Sequence, residues 1–271
     1  SANRDLLDEG TLYVARFTTA EGKAHGEGEW LALTHGQNGL TVEAGFKDQA
    51  DVLVHTRLAA TVVGATTMDR PEWIAAHPSR AQVYVTLTNN SDRGLKANQA
   101  VNGPNPRAKN VYGQIVRWTP SGNDHTSNQF TWDIFALAGN PTLHKDAYAG
   151  SANITPDNMF NSPDGLAFDQ DGRLWIQTDG DYSNAKEFAG MGNNQMLCAN
   201  AVTGEIKRFM VGPVACEITG IAFTPDRKTM FVGIQHPGEK LVPSHFPQGG
   251  DAVPRSSIVA ISRRDGGVVG T

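Results

Sequence analysis

The feature that most constrains this sequence is an internal near-repeat. SPDGLAFDQDGRLWIQTDG (162–180) lines up with EITGIAFTPDRKTMFVGIQ (217–235), a shift of 55 residues from 162 to 217, on the pattern G-[LI]-A-F, a polar turn containing Asp, and an aromatic-centred strand. RPEWIAAHPSRAQVYVTLT (70–88) is a looser third copy, with Pro71-Glu72-Trp73 where the first has Pro163-Asp164-Gly165. Self-similarity of this kind marks stacked or radial architectures, in which each repeat supplies one unit that cannot bury its apolar face alone. Further β-rich runs such as TLYVARF (11–17), QIVRW (114–118), FTWDIFAL (130–137), QMLCAN (195–200), EIKRFMV (205–211) and SIVAIS (257–262) are punctuated by Gly, Asn, Asp and Pro, as in a meander. The expected fold is therefore all-β, a β-propeller with short helical connectors. Each blade is a repeated hairpin followed by an outer pair of strands. A β-sandwich has similar strands but does not need a repeated strand-turn-strand unit. At roughly 40 to 60 residues per blade the chain supplies about four to five blades, so either the blades are few or this is part of a propeller.

One segment reads as a helix, DQADVLVHTRLAATVVGA (48–65), with Val52, Leu53, Leu58 and Val62 as its expected apolar stripe and Gly64 as its end. Composition matters here for what it removes. The 271 residues carry a net charge of -5, with 29 Gly, 14 Pro and 2 Cys, which excludes a disordered chain, collagen and a disulfide framework. No apolar run reaches the length of a membrane span, and no basic block suggests nucleic-acid binding. The P-loop, GxSxG, HExxH, EF-hand and CxxC patterns do not occur. VTGEIKRF (202–209) reads as a plain hairpin turn, and the Asn- and Gly-rich stretch 88–113 as either a functional rim loop or a flexible excursion. His77 and His236 each precede a proline and are expected at the surface or rim.

Each repeat places a carboxylate ahead of its innermost strand: Glu72, Asp164 and Glu217. Loops entering the inner strands of a propeller converge on its axis, so three such carboxylates would share one site. Like charges that close need cations or raised pKa values. Hard oxygen ligands suit Ca²⁺, and carboxylates also suit Fe³⁺. The bland alternative is that each caps backbone N–H groups of its turn. Arg70 stands two residues before Glu72, so in extended chain both point the same way. Its guanidinium offers a planar fork to phosphate oxygens, or else simply pairs with Asp69 or Glu72.

TMDRPEW (67–73), NPRAKNVYGQIVRW (105–118), NSPDGLAFDQDGRLWIQTDGD (161–181) and CEITGIAFTPDRKTMFVGIQHPGE (216–239) resemble the C-terminal half of the PhoX-type alkaline phosphatases. The resemblance runs from LLDEGTLYVARF (6–17) to SSIVAISRRDGG (256–267), nearly the whole chain. It implies a secreted or periplasmic propeller phosphatase with an iron and calcium centre, of which residues 1–271 form a C-terminal portion of a single domain. It also implies metal-assisted hydrolysis of phosphate monoesters. Arg70 would bind the phosphate as the catalytic clamp, Glu72 and Asp164 would ligate metal, and Glu217 would be a calcium ligand. The family's N-terminal half, with a Cys ligand to iron, further Asn and Glu ligands and a twin-arginine signal, has no counterpart in these residues. The fragment is therefore expected to be monomeric, to be completed by that half, and to lack a complete active site without it. Cys198 and Cys216 are expected as buried thiols or as a disulfide pair of an oxidising compartment. Two other readings stand beside this one: a propeller lactonase using a single Ca²⁺, and a non-catalytic propeller that binds a protein partner.

Overall fold

The computed structural model describes residues 9–19, 23–239 and 243–271, so residues 6–8 of the LLDEGTLYVARF segment lie outside the described residues. From the N-terminal side come β1 (Tyr13–Thr19), β2 (His25–Ala32), helices α1 (Gln49–Val54) and α2 (Thr56–Val62), β3 (Pro71–Ala76) and β4 (Val83–Leu87). Then follow β5 (Gln114–Pro120), β6 (Gln129–Leu137), β7 (Pro163–Phe168) and β8 (Arg173–Thr178). The last are β9 (Gln195–Asn200), β10 (Ile206–Val211), β11 (Glu217–Phe223), β12 (Thr229–Gln235) and β13 (Ser257–Ser262). The chain divides into two compact units, one of residues 1–67 and 118–133 and one of residues 68–117 and 134–271.

In the first unit β1 pairs antiparallel with β2, and β2 with the start of β6. Gly28 on β2 lies flat under the Phe130 ring, where a Cβ would come within 2.2 Å of the ring carbons, so the close approach requires glycine. Asp48 caps α1 by accepting from the Asp51 N–H at 2.9 Å. The expected helix exists, but it breaks at His55, whose φ of -103° and ψ of 36° are not helical. That break shifts the buried face. Val52, Ala59 and Val63 pack on Leu33, Leu40 and Phe46, whereas Leu53, Leu58 and Val62 of the expected stripe are exposed. Two short helices cannot share one continuous 3.6-residue stripe across a break. Gly64, at φ 77°, ends the segment as expected.

The second unit holds antiparallel sheets in the orders β6-β5-β4-β3, β10-β9-β8-β7 and β11-β12-β13. This is an all-β, propeller-like arrangement of successive blades. Tyr84 sits edge-on to Phe135 and Phe168 at 5.2 and 5.1 Å, joining the first sheet to the second in one core with Ile115, Leu166, Leu174, Ile176 and Leu197. A second core unites Trp175 and Met196 with Ile218, Met230, Val232 and Ile234 of the third sheet. The three repeat copies are the hairpins β3–β4, β7–β8 and β11–β12. Phe168 pairs with Leu174 and Phe223 with Met230, so the shift of 55 on the first strand becomes 56 on the second (174 to 230). The cause is a turn one residue longer in TPDRK than in DQDG.

Residues 88–113 are a packed excursion, not a flexible one. Arg93 and Asp69, both without solvent exposure, form an ion pair at 2.6 Å. Asn110 donates to Asp69 at 2.8 Å, and the Asp69 N–H donates to Asn105 at 2.8 Å. Buried Arg107 donates to the carbonyl oxygens of Ala138 and Gly113 and to Asn110. It stacks over Tyr112 and Tyr148, and burial lowers its pKa to about 10. VTGEIKRF is the β9–β10 hairpin turn. Cys198 and Cys216 are free thiols, pushed by burial up to about 11 and about 12, so the disulfide alternative is not realised.

Candidate functional site

The repeat carboxylates sit inside the strands, not ahead of them: Glu72 and Asp164 are the second residues of β3 and β7, and Glu217 is the first of β11. Pro71 and Pro163 open their strands, where a missing N–H costs no ladder bond. Each is preceded by a residue in the left-handed region, Arg70 at φ 53° and Ser162 at φ 52°. Register shifts follow, between Pro71 and Ile74 and between Pro163 and Leu166. A bulge of this kind re-aims side chains, here those of Glu72 and Asp164. In the third hairpin the irregularity comes later, between Thr219 and Ile221, at Gly220 with φ 62°. Glu217 pairs with Gln235, as Ser162 accepts from the Asp179 N–H at 3.1 Å and Arg70 from the Thr88 N–H at 3.1 Å. Glu217 therefore occupies the register of Ser162 and Arg70, not that of Asp164.

Side chains of the second strands tie one hairpin to the next. Thr86 on β4 donates to the Asp164 carbonyl at 2.8 Å and accepts from the Trp73 N–H at 2.9 Å. Gln177, its counterpart on β8, donates to the Gly220 carbonyl at 2.8 Å. Both bonds end at or beside a bulge, so the spacing of the carboxylates is set by contact between hairpins.

Asp164, Asp179 and Glu217 offer carboxylate oxygens that all lie within 4.8 Å of one another. Asp179 is the residue the sequence reading missed. It follows β8 in a turn braced by Asn194, which accepts from Thr178 Oγ1 at 2.8 Å and the Gly180 N–H at 2.7 Å. The same amide donates to the carbonyls of Gly180 at 3.0 Å and Cys216 at 2.8 Å, joining the Asp179 turn to the residue before Glu217. Burial raises Asp164 to about 6, with Glu72 and Asp179 adding repulsion and Arg70 opposing it. Burial also raises Glu217 to about 7, with Asp179 and Asp164 adding and His236 opposing. Glu72 stands outside the trio but within its field. Gln235 donates to Glu217 Oε2 at 2.8 Å, and His236 Nε2 lies 3.4 Å from the same oxygen. His236 is therefore a neighbour of the site, not a bystander. His77 is buried against Phe168 at 4.8 Å and is not a surface residue.

Three hard oxygen donors, partly desolvated and repelling one another, suit a hard cation such as Ca²⁺ or Fe³⁺, whose charge would remove the repulsion. Beside them Arg70 Nη2 lies 3.7 Å from Glu72 Oε1, although Arg70 precedes β3 in left-handed backbone and does not share an extended strand with Glu72. Arg70 Nη1 donates to Asn89 Oδ1 at 3.1 Å. Half-exposed, this guanidinium has donors left for an anion.

The structure of Pseudomonas fluorescens PhoX in complex with vanadate, a transition state analogue, is 63% identical and superposes with a TM-score of 0.96 over 99% of this chain. This chain spans about half the length of that one, 47%. A gluconolactonase from Xanthomonas campestris matches at 14% identity and a TM-score of 0.31, covering 72% of this chain and 59% of its own. No curated protein matches the sequence at a comparable level of significance. The family model described as alkaline phosphatase PhoX matches residues 1–238, and the chain belongs to the alkaline phosphatase PhoX family.

Proposed function

We propose that this chain supplies the phosphate-clamping arginine and part of the metal site of an alkaline phosphatase acting on phosphate monoesters. The observation that carries the reading is the juxtaposition of an acidic trio, Asp164, Asp179 and Glu217, with the Arg70–Glu72 pair on a neighbouring hairpin. Asp164, Asp179, Glu217 and Glu72 would hold metal, with calcium and iron as the ions the resemblance implies. Bound metal would neutralise phosphate charge and polarise the ester for displacement. Arg70 would donate both arms of its fork to non-bridging oxygens. Gln235 would keep one Glu217 oxygen oriented through its hydrogen bond.

On this reading the 271 residues are a C-terminal portion of one propeller domain, completed by further ligands from the rest of a monomeric protein in the periplasm or outside the cell. Among the described residues no helix is long and apolar enough to cross a membrane. The test is metal content by plasma mass spectrometry on the full-length protein, together with hydrolysis of p-nitrophenyl phosphate at alkaline pH. Iron and calcium accompanied by phosphate release are expected. A protein that binds calcium alone, releases no phosphate and opens a lactone would overturn the reading.

A further inference from the structure

We propose that Asn89 is a positioning residue for Arg70, holding the guanidinium in the orientation in which it meets a phosphoryl group; the inference rests on the phosphatase reading above. The main chain of Arg70 is already anchored. Its N–H donates to the Met68 carbonyl at 3.0 Å, its carbonyl accepts from Thr88, and its neighbour Asp69 is sealed in the ion pair with Arg93. The side chain is another matter, because it is long, rich in rotamers and 55% exposed. Glu72 at 3.7 Å is too far for a hydrogen bond. Among the described residues it is Asn89 that supplies one, from Arg70 Nη1 to Asn89 Oδ1.

The Asn89 amide is itself fixed. A guanidinium only donates, so the amide oxygen must face Arg70 and the amide nitrogen must face away. That nitrogen donates to Ser162 Oγ at 2.9 Å, and Ser162 Oγ donates onward to Asn161 Oδ1 at 3.0 Å. Asn161 Oδ1 also accepts from the Asp181 N–H at 3.0 Å, in the turn that carries Asp179. A chain of hydrogen bonds therefore links the arginine on the first hairpin to the acidic turn of the second, the two sides meeting at Asn161 Oδ1, which accepts from both. Both left-handed residues that precede Pro71 and Pro163 belong to it, Arg70 as the first donor and Ser162 as a relay.

The experiment measures KM for p-nitrophenyl phosphate and the inhibition constant of inorganic phosphate in the full-length protein, with metal content and melting temperature as companions. Asn89→Ala should raise both constants about fivefold or more at unchanged metal content, with a smaller change in kcat. Ser162→Ala should move them the same way by less, and serves in its place should Asn89→Ala fold poorly. Asn89→Asp holds the arginine through a charged pair yet competes with the anion, so it should weaken phosphate binding at least as much as alanine. Combined with Arg70→Ala, Asn89→Ala should add nothing further. A purely structural Asn89 would lower the amount of folded enzyme and leave KM and the inhibition constant alone. The inference is overturned if Arg70→Ala weakens phosphate binding while both Asn89→Ala and Ser162→Ala leave the inhibition constant within about twofold. A wild-type protein that binds no phosphate would instead overturn the phosphatase reading itself.

Discussion

Two charged clusters of the second unit are built on opposite principles. The Asp69 carboxylate is matched by Arg93 and by the Asn110 amide, both buried, so that its charge is answered within the fold, and its own N–H donates to buried Asn105. Asp164, Asp179 and Glu217 instead face one another, and burial and mutual repulsion raise the first and last toward neutrality. The first cluster is complete as folded and stabilises the excursion 88–113. The second carries a mutual repulsion that a bound cation would relieve.

Substitutions should separate the two by sign. Arg93→Ala leaves a buried carboxylate unpaired and should lose about 3–5 kcal/mol, read by chemical denaturation with or without cations. Asp179→Asn should do the reverse in cation-free protein, keeping or raising the melting temperature by removing a repelling charge. Its calcium affinity, by titration calorimetry, should fall about tenfold or more. Arg70→Ala should cut phosphate monoester turnover at least about tenfold and leave metal content intact; unchanged kinetics would remove the clamp from the mechanism.

The smallest effect is in pH. Asp164 and Glu217 have folded-state pKa values of about 6 and about 7, above their ordinary values near 4. The folded state thus binds more protons than the unfolded one between those limits, and stability is lost as pH rises through them. Cation-free protein should melt a few degrees lower at pH 8 than at pH 5, and saturating calcium should abolish the difference. A melting temperature that rises with pH in cation-free protein would contradict the raised values of Asp164 and Glu217.

The repeat made much of this legible in advance. G-[LI]-A-F followed by a polar turn located the hairpins β7–β8 and β11–β12, and the spacing of Arg70 and Glu72 placed them side by side. Asp179 escaped because it lies at the far end of a second strand, where its counterparts are Thr88 and Gln235 and no carboxylate recurs. Glu217 was found by analogy with Asp164 although it occupies a different register, because a bulge moves by whole residues and leaves no trace in composition. The helical stripe at 48–65 failed for a similar reason. The break at His55 is a local backbone event that apolar spacing does not record.

The backbone at positions 70 and 162 carries one more implication. A non-glycine residue in the left-handed region costs about 1–2 kcal/mol, and glycine would fit there with less strain. Arginine and serine at these two places are thus held against the preference of their own main chain. A redesign that scored this fold on stability alone would drift both toward glycine, and would arrive at a firmer fold without the guanidinium proposed above as the phosphate clamp.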